Sequence, residues 1–218
     1  MAAGNRNLRK QNNGDKFYAK DIHGNTLKMK MPERTSHKLL GLRGGHQTIV
    51  TKIIADYASR FKGEDLPMVD AIVRDISTFE RVVTTEEGLK KHYAKRTAED
   101  VIASRKVIVK RPVQGCVDYT IALCSALRAK GISSYFARNP FNHAVTLFRL
   151  GEKWYRADPT PERVEERFHL VSVDPKTEFR HYSAIGVDAW DIGLNDISRF
   201  ELPKTAKGLK NILLEEKY

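Results

Sequence analysis

The amino-acid sequence predicts an α+β fold, in which helices come first and strands follow. Helical periodicity of apolar residues dominates from residue 44 to about residue 104, and a further helix is predicted to begin at Cys116. Alternating apolar residues then indicate a β-hairpin that begins at His143 and ends at Asp158. This order favours an α+β arrangement with N-terminal helices, in which the helix at Cys116 packs on an antiparallel sheet.

The chain divides into a basic arm, residues 1–43, and a domain, residues 44–218. The whole chain carries a net charge of +11, and the arm alone holds ten Lys or Arg against three Asp or Glu. Within the arm, KFYAKDI and TLKMKM flank a His-Gly-Asn turn and predict a short hairpin. Two roles remain open: a solvated, partly disordered extension, or a contact with nucleic acid or another polyanion whose affinity falls steeply with salt.

Four helical segments are predicted between the arm and Cys116. The first two are amphipathic, GHQTIVTKIIADYASRFK and DLPMVDAIVRDISTFERVV. The apolar face expected on the first comprises Ile49, Ile53, Ile54, Tyr57 and Phe61. The third, EEGLKKHYAKR, follows a cap at Thr84 or Thr85, and the fourth is AEDVIASR. Beyond the hairpin, FHLVSV predicts a strand and GLKNILLEEKY a terminal helix.

The segment GCVDYTIALCSALRAKGI predicts a helix between Gly115 and Gly131. Cys116 then lies in the first turn, where the positive end of the helix dipole favours a thiolate. Cys124 lies eight residues further along the same helix. That spacing is about 12 Å at 1.5 Å per residue, which is too long for a disulfide, so we expect Cys124 to be a small core residue.

Whether His143 and Asp158 meet depends on the hairpin turn, because side chains alternate between the two faces of a strand. A two-residue turn at Gly151-Glu152 would place Asp158 one diagonal step from His143 on the same face. A two-residue turn at Leu150-Gly151 would place them directly opposite each other. A three-residue turn would separate them.

Cys116, His143 and Asp158 supply the three groups that covalent acyl transfer requires: a thiol nucleophile, an imidazole base and a carboxylate that orients the base. Each residue also has a structural interpretation. A cysteine is commonly a small buried hydrophobe, a histidine can be an ordinary strand residue, and Asp-Pro-Thr can form an Asx turn. The order of the three residues and the local element of each favour the catalytic interpretation.

The residues around these positions resemble a known family. RTAEDVIASRKVIVKRPVQGCVDYTIALCSALRAKGI is similar to the segment that contains the nucleophile helix of the transglutaminase-like superfamily, particularly its microbial and archaeal members. HAVTLFRLGEKWYRADPT resembles the histidine and aspartate strands of that family, and DAWDIGLNDISRF resembles a C-terminal element of archaeal members. The resemblance implies a papain-like fold with a catalytic triad of Cys116, His143 and Asp158.

Two features separate the chain from particular branches of that family. Animal-type transglutaminases have Trp directly after the nucleophile, where this chain has Val117, and no acidic loop suggests their calcium sites. Peptide N-glycanases add a zinc site built from CxxC pairs, which two cysteines cannot supply. We therefore expect neither a metal nor another cofactor.

Acyl transfer also requires hydrogen-bond donors for the oxyanion that forms on the substrate. The backbone N–H of Cys116 is the expected first donor, because an amide at the start of a helix has no partner within that helix. Gln114 is a candidate second donor by its chemistry, and it is equally consistent with a solvated loop residue.

Two functions remain open from the sequence. The first is a cysteine-nucleophile enzyme that acts on an amide or peptide bond of a protein or peptide through a thioacyl intermediate. Hydrolysis, by a protease or amidase, is favoured over transfer to an amine because water needs no dedicated acceptor site. The alternative is a catalytically silent transglutaminase-like binding module that holds nucleic acid or another polyanion on the basic arm.

Composition adds expectations about the setting of the protein. A hydrophobic content of 41% and a charged content of 30% are ordinary for a soluble globular protein, and no stretch approaches a membrane span. The first residues are basic but contain no apolar segment of the kind found in secretory signals. Two cysteines badly placed for pairing fit a reducing cytoplasm. The sequence does not indicate an oligomeric state.

Overall fold

A computed structural model of the protein describes residues 16–20, 26–30, 45–110, 115–165 and 169–194. It combines helices, most of them before residue 130, with a main antiparallel sheet after that residue, which is compatible with the predicted α+β class. No helix in these ranges is both long and apolar enough to cross a membrane. The predicted terminal helix GLKNILLEEKY lies outside the described residues.

Within the described ranges the chain forms seven α-helices: α1 (Lys52–Ser59), α2 (Leu66–Ser77), α3 (Glu86–His92), α4 (Ala98–Ser104), α5 (Cys116–Ala129), α6 (Pro161–Glu165) and α7 (Pro175–Glu178). Side chains cap the first turns of four of them, including α7, where Asp174 accepts the backbone N–H of Lys176. Asp65 caps α2, and Thr85 caps α3 by accepting the backbone N–H of Gly88. Thr97 forms a capping box with Asp100 at the start of α4.

The strands of the same ranges are β1 (Lys16–Lys20), β2 (Thr26–Lys30), β3 (Glu80–Val83), β4 (Lys106–Val109), β5 (Ser133–Arg138), β6 (Ala144–Leu150), β7 (Lys153–Ala157), β8 (Leu170–Val173) and β9 (Ala184–Gly186). β1 and β2 form an antiparallel pair, as the hairpin prediction for the arm requires. β3 and β4 form a parallel pair. The main sheet has the strand order β8-β7-β6-β5-β9, and each neighbouring pair in it is antiparallel.

Two predicted helical segments are shorter than their periodicity suggests. A 3-10 turn at His46–Thr48 precedes α1, so Ile49 lies outside the helix and Ile53 is 42% exposed, which makes the predicted apolar face wrong at these two positions. The sequence ERVV, predicted as helix, is strand β3. Its β-branched residues pair with those of β4, for example Val82 with Ile108, and this pairing outweighs the local helical pattern.

Helix α5 lies in the centre of the core. Every residue from Cys116 to Arg128 is buried, and the helix packs against β5 and β6 as well as against α1, α2 and α4. A helix that is covered on all sides needs no polar face, which explains why most residues of α5 are small or apolar. Cys124 is fully buried and both cysteines are free, as predicted.

Buried charged side chains fix both ends of α5. Near the start, Asp118 accepts hydrogen bonds from Arg96 at 2.8 Å and from the backbone N–H of Ile108 at 3.2 Å. Near the end, the guanidinium of Arg128 donates to Thr48 and to the backbone oxygens of Ser134 and Val187. Removal of one partner from a buried ion pair such as Arg96–Asp118 costs about 3–5 kcal/mol, so these contacts hold α5 firmly against its neighbours.

Gly115 sets the position of the first turn of α5. Its φ of +80° is a left-handed conformation that favours glycine, and a Cβ built there would overlap a methyl group of Val107 on β4. Gly131, just beyond the other end of α5, has a similar φ of +78°, but nothing lies within 4 Å of a Cβ built there. Gly115 therefore serves both backbone conformation and close packing, whereas Gly131 serves conformation alone.

We expect Gly115→Ala to lower the free energy of unfolding more than Gly131→Ala does. Both substitutions place a Cβ in the left-handed region at a cost of about 1–2 kcal/mol. Overlap with Val107 adds about 1–3 kcal/mol at Gly115 alone. Urea unfolding of the two variants measures this difference, and equal losses of stability would show that α5 does not press on β4.

Candidate active site

The register of the β6–β7 hairpin brings His143 and Asp158 together. Leu150 pairs with Lys153, so the turn consists of Gly151 and Glu152, and the left-handed φ of +60° at Gly151 suits such a tight turn. This is the first of the two compatible registers considered from the sequence. His143 directly precedes β6 and Asp158 directly follows β7, so both lie at the same end of the hairpin.

The imidazole of His143 forms a short hydrogen bond with the carboxylate of Asp158. The distance from Nε2 to Oδ2 is 2.6 Å. The other carboxylate oxygen, Oδ1, accepts the backbone N–H of Thr160 at 3.1 Å and its hydroxyl at 2.8 Å. The carboxylate of Asp158 thus forms an Asx turn with Thr160 and also binds His143. Together these contacts hold the carboxylate in one orientation.

The thiol of Cys116 is the second partner of this imidazole. Cys116 is the first residue of α5 and is 8% exposed. Its Sγ is 3.9 Å from the backbone oxygen of Asn142, and the thiol interacts with the side chain of His143. Because Asp158 occupies Nε2, Nδ1 is the ring nitrogen left to exchange a proton with the sulfur.

The two partners of His143 change its protonation. Burial alone lowers the pKa of His143, but its hydrogen bonds with Asp158 and Cys116 and their negative charges outweigh burial and raise the pKa from 6.5 to about 10. For Asp158, burial raises the pKa, whereas the contacts with His143 and Thr160 lower it by more, so the net shift is downward. At neutral pH the geometry therefore favours an imidazolium beside an ionised carboxylate.

A short loop positions the histidine. This histidine loop (residues 139–143) joins β5 to β6, and the side-chain oxygen of Asn139 accepts the backbone N–H groups of Phe141 and His143, each at 3.0 Å. The backbone N–H of Asn139 donates to the oxygen of His143 at 3.0 Å. Asn142 has a left-handed φ of +63°, which asparagine tolerates better than most residues.

Sequence reasoning missed two residues that contact the candidate triad. Asn139 holds the histidine loop, and Thr160 fixes the carboxylate of Asp158. The Asn-Pro-Phe-Asn composition of the loop is a turn signal, and a Thr two residues after an Asp is a local hydrogen-bond signal. Neither pattern identifies which side chain the turn positions, because that depends on strand pairing.

Two tyrosines and an arginine on α5 and β7 have structural contacts. The ring of Tyr155 stacks on Phe148 with centroids 5.2 Å apart. Tyr119 is buried, and burial raises the pKa of its hydroxyl to about 12. Arg156 forms an ion pair with Glu178 at 3.1 Å. These placements agree with packing and strand roles for the two tyrosines and Arg156.

Of the expected oxyanion donors, one lies within the described residues. Cys116 begins α5 directly after Gly115, and no side chain caps the helix there, so its backbone N–H has no partner within the helix. Gln114 lies outside the described residues. Across the described part of the chain, no group of three or more His, Cys, Asp or Glu side chains is arranged to hold a metal ion.

Comparisons with known proteins give few matches. No protein-family model matches the chain, and no curated protein matches its sequence. A crystal structure from Cytophaga hutchinsonii, described as a "putative cysteine protease", is similar with a TM-score of 0.48 and 20% sequence identity. The similarity covers 72% of this chain and 52% of that one, so this chain spans about half the length of that protein.

We expect Asn139→Ala to slow alkylation of Cys116 by iodoacetamide at pH 7 about tenfold, because the imidazole is then no longer held beside the thiol. Asn139→Asp keeps an acceptor oxygen for the two backbone N–H groups and should retain most of the rate. The measurement uses Cys124→Ala backgrounds, with urea unfolding recorded in parallel. Equal loss in both variants, or no loss in Asn139→Ala, would contradict a positioning role for this side chain.

Proposed function

We propose that this protein is a cysteine-nucleophile acyl-transfer enzyme that acts on an amide or peptide bond, with hydrolysis favoured over transfer to an amine. Cys116 is the nucleophile, His143 the acid and base, and Asp158 the group that orients the imidazole. One observation carries the proposal: the side chain of His143 interacts with the thiol of Cys116 and also with the carboxylate of Asp158, whose Oδ2 is 2.6 Å from Nε2 of the imidazole. The order of these residues along the chain supports a papain-like fold of the transglutaminase-like kind.

The first half of the reaction forms a thioester. The sulfur attacks the carbonyl carbon as a thiolate, the nucleophilic form of a thiol, while the raised pKa of His143 keeps a proton on the imidazole beside it. The carbonyl π electrons move to oxygen, and the resulting oxyanion accepts the backbone N–H of Cys116. When the C–N bond breaks, its electron pair leaves with nitrogen, which takes the proton from His143 Nδ1. The products are a free amine and an acyl group on Cys116.

The second half returns the enzyme to its starting state. Water attacks the thioester carbon and the neutral imidazole of His143 removes one of its protons. The C–S bond then breaks, its electron pair stays on sulfur, and the carboxylic acid leaves. The thiolate and imidazolium are thereby restored. An amine in place of water would give a new amide, but it would need an acceptor site, which is why hydrolysis is favoured.

Three features of the setting belong to the proposal. The substrate is an amide within a protein or peptide. A reducing compartment such as the cytoplasm suits the reaction because both cysteines are free and the nucleophile must remain a thiol. The basic arm, residues 1–43, is proposed as an additional contact for nucleic acid or another polyanion, through its excess of seven positive charges.

The proposal predicts rapid, histidine-dependent alkylation of Cys116. In a Cys124→Ala background, His143→Ala should slow the reaction of Cys116 with iodoacetamide at pH 7 about tenfold, because the sulfur loses the cation that interacts with it. His169→Ala is the matched control, since His169 also forms a 2.6 Å pair with an aspartate, Asp70, but on α2. Equal effects of the two histidine substitutions would contradict an activated thiol.

Turnover can be tested without a known substrate. A peptide mixture prepared from a whole proteome is incubated with the protein in water labelled with ¹⁸O, and mass spectrometry identifies new C-termini. Hydrolysis predicts ¹⁸O in those C-termini, abolished by Cys116→Ala and retained by Cys124→Ala. New amides formed with an added amine, without ¹⁸O incorporation, would instead establish amine transfer.

A further inference from the structure

A pocket of about 360 Å³ opens beside the histidine loop, and we call it the side pocket. Part of its lining is apolar and comes from the loop itself, where Pro140 and Phe141 follow Asn139. Phe141 is 89% exposed, which is unusual for an aromatic residue so close to a candidate catalytic histidine. The remaining lining comes from Arg156 on β7 and from residues 178 and 180–182.

Two residues that line the side pocket are adjacent to members of the candidate triad. Asn139 lines it, and the side-chain oxygen of the same residue accepts the backbone N–H of His143 at 3.0 Å. Arg156 also lines the side pocket and lies two residues before Asp158. The backbone N–H of Asp158 donates to the backbone oxygen of His169 at 2.8 Å, so the pairing of β7 with β8 continues as far as Asp158. Residues two apart in an extended strand leave the same face about 7 Å from each other, so Arg156 and Asp158 are neighbours.

The proposed reaction fixes which part of a substrate lies near this pocket. His143 gives its proton to the departing nitrogen, so the amine side of the scissile amide must lie on the histidine side of the thiolate. A substrate segment that continues from that nitrogen passes the histidine loop. The side pocket is therefore placed to receive a side chain or chain terminus from the amine side.

The charge of the side pocket is unbalanced. Its one carboxylate, Glu178, already accepts the hydroxyl of Tyr182 at 2.5 Å and the guanidinium of Arg156 at 3.1 Å, both at Oε1. The side chains of Arg180 and His181 are exposed, and neither side chain forms a hydrogen bond or an ion pair within the described part of the chain. An incoming anion would meet at least one guanidinium whose donors are not in use.

We propose that the side pocket binds a carboxylate on the amine side of the scissile amide, with Arg180 as its charged partner and Phe141 as an apolar wall for the stem that carries it. The carboxylate belongs to an Asp or Glu at the first or second residue after the bond, or to a nearby C-terminus. The substrate class is thus an acidic peptide segment. This inference rests on the proposed function, because the reaction defines the amine side.

Small electrophiles that alkylate Cys116 test the pocket without requiring turnover. The probes are the bromoacetyl derivatives of Asp methylamide, Asn methylamide, Ala methylamide and Ala with a free carboxylate, each also prepared with one Ala inserted after the bromoacetyl group. All reactions use the Cys124→Ala background. Comparison of Asp with Asn reports on a side-chain carboxylate, and comparison of free Ala with its methylamide reports on a terminal one.

We expect a carboxylate probe to react about ten times faster than its neutral counterpart, either with or without the inserted Ala. The reason is that a carboxylate bound by a guanidinium makes a charge-assisted hydrogen bond. Arg180→Glu should bring this ratio to one or below. The matched control is Arg149→Glu, which makes the same charge change at an exposed site six residues from His143, roughly 20 Å along the strand. Circular dichroism confirms that the variants are folded.

The outcomes separate the pocket from the reaction. The assignment of a carboxylate site to the pocket would be overturned if carboxylate and neutral probes reacted at nearly equal rates in the starting protein. It would also be overturned if the ratio of these two rates were the same in Arg180→Glu and Arg149→Glu. The neutral reagent bromoacetamide reports on the thiol alone. If its rate did not depend on His143 while the carboxylate ratio still depended on Arg180, the proposed function would fail and the anion site would stand.

Discussion

The 2.6 Å hydrogen bond between His143 and Asp158 requires two neighbouring strands to end at the same edge of the sheet with their side chains on the same face. The two-residue turn at Gly151 and Glu152 meets this requirement, because it sets the pairing of β6 with β7. A turn one residue longer would place the imidazole and the carboxylate on opposite faces. The chemistry proposed for this site therefore depends on the geometry of a turn at the far end of the hairpin.

The third group of the site reaches the same place by an independent route. Cys116 is positioned by the first turn of α5, which Gly115 allows to pack against β4 and which the Arg96–Asp118 ion pair joins to the same strand. Arg128 anchors the other end of the helix to β5 through Ser134 O. A buried helix fixed at both ends cannot shift easily relative to β4 and β5, so the first turn of α5 holds Cys116 in place.

The sequence predicts much of this arrangement but not all of it. The period of apolar residues identifies α2, α4, α5 and the hairpin, since each pattern is local. The pairing of β3 with β4 was missed because ERVV finds its partner only 26 residues later, and the apparent helical face before α1 failed where a 3-10 turn interrupts it. The alternation of side chains between the two faces of a strand left two hairpin registers in which His143 and Asp158 can meet. The observed pairing of Leu150 with Lys153 decides between them.

In the candidate site, too, some residues can be recognised from the local sequence, whereas others depend on contacts between distant segments. Residue type and order indicate Cys116, His143 and Asp158, because each is recognisable within its own element. The roles of Asn139 and Thr160 depend on which side chain a turn presents to the histidine or the aspartate. The side pocket is assembled from three separate segments, the histidine loop, β7 and the residues around Arg180, so no local pattern could predict it.

The central claim is that His143 holds its proton at neutral pH because Asp158 and Cys116 flank it. Titration of ¹³C-labelled histidine by NMR tests this most directly, with the signal of His143 identified among the seven histidines by its loss in His143→Gln. We expect this imidazole to remain protonated well above pH 7, and Asp158→Asn to lower its pKa. Titration near the ordinary value of about 6.5, unchanged by Asp158→Asn, would contradict it.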